Sequence, residues 1–151
     1  MYLFLDYLEV LLVALLICIF CDVEQKNRYC LISSVISFLV MEFMQTYDLF
    51  GNEMAYAITI INFIIVSVMK KEIKFYNFIP CIFSQWISVF TSTIVLFFFK
   101  VITNYNIGNI IKLYRIPIIF LARILFFTLI VVLNYFKSKI KNTIIEKNKY
   151  L

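Results

Sequence analysis

The sequence predicts an all-α fold, a polytopic membrane bundle of about five transmembrane helices. Three observations predict it. Of the 151 residues, 64% are hydrophobic and 15% are charged, against roughly 45–50% apolar usage in soluble domains. The apolar residues gather into five runs, near 2–20, 29–47, 54–69, 80–99 and 117–135, each close to the roughly 20 residues that cross a hydrocarbon core of about 30 Å. Two glycines and two prolines in the whole chain leave the runs almost without breakers.

The first run, from Tyr2 to Phe20, carries Asp6 and Glu9 and lacks both a positive leader and a small-residue cleavage pattern. It therefore reads as a retained span. The second run ends near Tyr47. The third is the shortest and is expected to extend by a turn toward Glu53 or Lys70. Runs four and five open on Pro80 and Pro117, because proline suits the first turn of a helix, where its missing N–H has no partner to lose. Residues 1–136 make one helix bundle and residues 137–151 a basic tail. Ile140, Ile144 and Leu151 place an apolar stripe on that tail if it stays helical.

Basic residues set the expected orientation. Lys26 and Arg28, then Lys70, Lys71 and Lys74, then five lysines after residue 136 lie in one set of gaps. The alternate gaps hold Lys100, Lys112 and Arg115. Ten basic residues against three place the amino terminus outside and the tail in the cytoplasm of a plasma-membrane protein. This confinement to gaps also makes the net charge of +5 a statement about topology and lipid, with no nucleic-acid partner implied. The longest outer gap, 100–116, alternates Ile, Tyr and Val with Asn and Lys, a strip for the membrane interface with Tyr105 and Tyr114 as anchors.

Charges inside the spans are the candidate functional residues. Helical rise puts Glu9, Glu42 and Arg123 on three spans at one level, about 8–9 Å below the outer face. A charge in lipid costs about 2.5–3.5 kcal/mol on insertion scales and is expected to face the bundle and pair. Arg123 thus pairs with Glu42 or Glu9. The pair either holds the spans in register or, with Gln45 one turn from Glu42, lines a polar pocket that binds a ligand; snorkelling of Arg123 to headgroups is the third option. Gln85 and Trp86, in "SQWIS" (Ser84–Ser88), lie within the fourth span as interhelical hydrogen-bonding residues or a pocket wall.

Several chemistries are disfavoured. Histidine is absent, which removes the commonest general base and phosphoacceptor. No Gly-rich phosphate loop exists, so no enzyme activity and no cofactor are expected. Cys18, Cys21, Cys30 and Cys81 all fall at cytoplasmic ends, where thiols stay reduced. A C-x-x-C within a continuous helix lacks the knuckle turn of a zinc site, so these cysteines are read as small buried residues with no metal bound.

The order of features resembles the membrane sensor region of peptide-pheromone-receptor histidine kinases of low-GC Gram-positive bacteria, of the accessory-gene-regulator type with GHKL-class ATPase domains. The residues that carry the resemblance are the short basic turn Glu24–Arg28, "MQTYDLFGNEMA" (Met44–Ala55), "MKKEIKFYNFI" (Met69–Ile79) and "LARILFFTLIVVLNYFK" (Leu121–Lys137). The resemblance implies quorum sensing through a two-component system: an extracellular peptide binds the outer half, and the last helix relays the signal. It also implies a kinase part with a phosphoacceptor histidine, which these residues lack. The expected function is a signal-sensing module with a small extracellular peptide ligand, a lipid bilayer and a homodimer as partners. The alternatives are a substrate-binding component of a small-molecule transporter, or a small structural membrane protein with no ligand.

Overall fold

The computed structural model describes residues 2–47 and 52–149, with side chains for 3–47 and 53–141. Five α-helices follow one another: α1 (Tyr2–Cys21), α2 (Lys26–Thr46), α3 (Asn52–Lys70), α4 (Phe78–Thr103) and α5 (Ile107–Lys149). A single 3-10 turn, Phe75–Asn77, leads into α4, and no strand occurs among the described residues. Each helix is long and apolar enough to cross a membrane, so the all-α bundle of five spans expected from composition is the fold. Part of the "MQTYDLFGNEMA" stretch, residues 48–51, and the stripe residues Ile144 and Leu151 lie outside the described residues or side chains.

α1 is the hub. It packs on α2, α4 and α5, while α3 closes the far side against α2 and α4. Its span window is 44% buried, against 17–33% for the others, and this follows from its sequence: Val10, Leu12, Val13, Ala14, Leu16 and Ile17 are all buried, so the helix beyond Glu9 is apolar all round. The helices around it bury small residues against one another. Ser33, Ser34 and Ser37 on α2 and Cys81, Ser84, Ser88 and Thr91 on α4 are buried, which lets backbones approach where lipid provides no hydrophobic drive between helices.

Three helices end on left-handed residues: Asp22, Lys71 and Asn104. At the end of α3 the Lys71 N–H reaches the Val68 carbonyl at 3.2 Å and the Glu72 N–H reaches the Ser67 carbonyl at 3.1 Å, the paired bonds of a Schellman motif. The Asn104 N–H bonds the Lys100 carbonyl at 3.0 Å, and asparagine tolerates the left-handed conformation that this stop needs.

α5 is two helical segments that meet across a kink at Tyr114, whose angles of φ −119° and ψ 19° are non-helical. Pro117 is the third residue after that kink, within the first turn of the second segment, where its missing N–H has no partner to lose, as the sequence expectation placed it. The expected interfacial strip 100–116 is mostly helix, with a break of three residues between Thr103 and Ile107. Tyr114 turns inward onto Phe99, with ring centroids 5.5 Å apart, while Tyr105 stays exposed. Pro80 is the third residue of α4, still within the first turn.

Candidate functional site: a polar layer around Arg123

The end of the bundle where α1 begins is called proximal, and the end where it finishes is called distal. Arg123 projects from α5 into the bundle and is only 6% exposed. Its Nη2 donates to Glu9 Oε2 on α1, and the Ser88 hydroxyl on α4 donates to Glu9 Oε1. One carboxylate thereby ties three helices. Of the two partners that the sequence left open for Arg123, Glu9 takes the salt bridge.

Glu42 lies apart from that bond. Its Oε1 is buried with no hydrogen-bond partner among the described residues, and Gln85 Oε1 is in the same state. Gln45 is half-buried one turn further along α2, and no side-chain hydrogen bond joins it to Arg123. Asp6, one turn before Glu9 on α1, lies in the electrostatic field of Glu9, Glu42, Arg123 and Arg115. It belongs to the layer although the sequence reading gave it no role; its three-residue spacing from Glu9, which puts both on one helix face, was the available signal. Arg123 keeps two buried nitrogens, Nε and Nη1, without a partner. Trp86 is 70% exposed, on the lipid-facing side of α4, so it walls no pocket.

A second polar cluster joins α2 to α3. The Tyr29 hydroxyl donates to Asn62 Oδ1 at 2.9 Å, and the Ser33 hydroxyl donates to the same oxygen. Asn62 Nδ2 donates to Ser37 Oγ at 3.2 Å and to the Ile58 carbonyl at 2.8 Å. Asn62 thus uses both ends of its amide in a buried interface. No charge flags these residues in the sequence, and only the packing of α2 on α3 brings them together.

The distal end is held by lysines. Lys137 on α5 donates to the Ile19 carbonyl and, at 2.7 Å, to Asp22 Oδ1. Lys70 on α3 donates to the Cys21 carbonyl at 3.0 Å and to Asn77 Oδ1 at 3.4 Å. Both cations sit on the unpaired carbonyls at the C-terminus of α1, where the helix dipole favours positive charge. Lys137 also holds the Asp22 carboxyl below the usual carboxylate range through the hydrogen bond it donates. The cysteines gather nearby. Cys18 and Cys30 bring their sulfurs to 3.3 Å, whereas Cys21 and Cys81 each turn to the Asn77 carbonyl. The two sulfurs of the C-x-x-C therefore part company, and among the described residues no group of three or more His, Cys, Asp or Glu could hold a metal.

Surface grooves lie elsewhere. One of about 390 Å³ is lined by Glu24–Arg28 and one of about 330 Å³ by Tyr105, Asn109, Lys112 and Leu113. Neither includes the buried polar layer, whose claim to be a site rests on its unmatched polar atoms. No family model, curated protein or solved structure matches the chain.

Proposed function

We propose that the bundle is a membrane-embedded sensing module that receives a small ligand in its proximal half and relays the event through α5. One observation carries the reading: Arg123 is buried on α5, bound to α1 through Glu9, and left with two unpartnered nitrogens. A buried donor without an acceptor forgoes about 1–3 kcal/mol, more when charged, so a ligand that supplies the acceptor gains what the described side chains of the layer do not provide. α5 then continues as one helix to the distal end, where Lys137 grips α1 again. A ligand that loosens or tightens Arg123 on Glu9 acts on the same rod that carries Lys137.

The positive-inside bias supports a proximal half that faces outward in a plasma membrane, with the tail in the cytoplasm. The peptide class of ligand, the two-component setting and a homodimer rest on the resemblance described above. A carrier is the second reading. The break at Tyr114 inside α5 favours it, since carriers use interrupted helices at their sites.

Proteoliposomes separate the two. Short synthetic peptides added from the proximal side are expected to change the fluorescence of Trp86, the single tryptophan, saturably and without accumulating in the lumen. Accumulation of labelled peptide in the lumen would replace sensing with transport. Silence across the peptide set would remove both readings.

A further inference from the structure

The charges of the polar layer do not balance, and the imbalance specifies a ligand. Glu9 is consumed: one oxygen accepts from Arg123 and the other from Ser88. Beyond that pair stand two more carboxylates, Asp6 and Glu42, within each other's field. Glu42 Oε1 is buried with no donor. Arg123, nine-tenths buried, has the opposite deficit, because its Nε and Nη1 lack acceptors. Arg115 also bears on Asp6, but its side chain is exposed and its charge is more strongly screened there.

A purely anionic ligand meets Arg123 but is repelled by Asp6 and Glu42. A purely cationic one relieves the carboxylates and leaves the guanidinium nitrogens empty. A primary ammonium with a carbonyl oxygen on the adjacent carbon meets both needs, because it brings N–H donors and one positive charge together with a neutral acceptor. Resting on the sensing reading above, we propose that this layer binds the free amino terminus of a short apolar peptide. The α-ammonium group lies against Asp6 and Glu42, and the first carbonyl oxygen lies on the unused nitrogens of Arg123. Apolar residues of α1 and α5 around the layer suit apolar side chains on the ligand. A free amino acid fits less well, since its carboxylate cancels the charge that the two acids demand.

The test uses the full chain in lipid nanodiscs and three probes: leucyl-leucine amide, its N-acetyl derivative, and leucyl-leucine with a free carboxylate. Binding is read by calorimetry against protein-free discs. The amide is expected to bind saturably, and N-acetylation to weaken it by about tenfold or more, as loss of a buried charge partner does. Glu42→Gln and Asp6→Asn, both near-isosteric, are expected to reduce binding of the amide similarly, while thermal melting of the empty protein shows that each variant is folded. Equal binding of the acetylated probe, or unchanged binding in both variants, overturns the amino-terminus proposal and leaves the sensing reading standing. Binding of leucyl-leucine alone also overturns it, in favour of a carboxylate ligand. Absence of binding by all three probes to a folded protein overturns the proposal, and the sensing reading then stands or falls on the wider peptide set in proteoliposomes.

Discussion

Arg123 on α5 and Glu9 on α1 form a salt bridge inside the bundle, and thirteen residues further along α1 the partnership repeats, with Asp22 bound to Lys137 at 2.7 Å. Since Lys137 lies fourteen residues beyond Arg123, the two helices run parallel and in step, pinned at levels about 20 Å apart by helical rise. The two pins differ in kind. The proximal one is buried and shared with Ser88; the distal one is half in solvent and reinforced by a backbone carbonyl.

Breaking the buried pin from one side leaves an uncompensated charge. Glu9→Leu or Arg123→Leu alone is expected to destabilise the protein by about 3–5 kcal/mol, whereas the double variant recovers most of that loss. Denaturation in mixed detergent micelles measures all three. Simple additivity of the two single losses would mean that the residues are not coupled.

The distal pin responds to acid. Asp22 has its folded pKa lowered by the hydrogen bond from Lys137, so the stabilisation is fully present above its unfolded value of about 3.9 and disappears as pH falls through the lower folded value. Because the Asp22 side chain is 74% exposed, solvent screening holds the effect to no more than about 1 kcal/mol. Distances between nitroxide labels at the distal ends of α1 and α5 are expected to widen as pH falls below the ordinary carboxylate range. Lys137→Met should abolish the change.

Asn62 is the polar link between α2 and α3. Asn62→Leu strands the buried Tyr29 and Ser33 hydroxyls and is expected to cost about 1–3 kcal/mol. Tyr29→Phe removes one donor to a shared acceptor and should cost less, about 0.6 kcal/mol, near the average for such bonds in membranes. A Tyr29→Phe loss larger than that of Asn62→Leu would contradict the shared-acceptor geometry.

The cysteine positions make a chemical prediction. Diamide oxidises a thiol pair to a disulfide while it is itself reduced to the hydrazine, and the 3.3 Å contact between Cys18 and Cys30 is the pair it should join. Peptide mass mapping after oxidation is expected to find Cys18 linked to Cys30. A dominant link between Cys18 and Cys21 would be incompatible with the packing of α1 on α2.

How far the sequence reads correctly depends on whether a feature is local. Span number and type follow from run length and composition, and α3 exceeds its short run by two residues at the start and one at the end. Pro117 falls in the first turn of a helical segment, as its residue type predicts, but the helix before the kink at Tyr114 does not follow: the packing of Tyr114 on Phe99 together with burial of Ile110 draws the stretch after residue 106 into helix. Trp86 and Gln85 are adjacent in sequence, yet one faces lipid and the other is half-buried, because 100° of helical rotation separates neighbours.

By itself the sequence determined that this is a bundle of five spans, and that Glu9 and Arg123 lie at matching depth, because span length and axial depth depend only on rise per residue. Only the tertiary structure decided which acid Arg123 meets, that Asp6 joins the layer, and that Ser88, Tyr29 and Asn62 serve as partners. Those outcomes depend on the rotation of each helix about its axis and on which helix stands beside which. That is set by the summed packing of small residues and apolar surfaces across all five helices, and no single run of residues contains it.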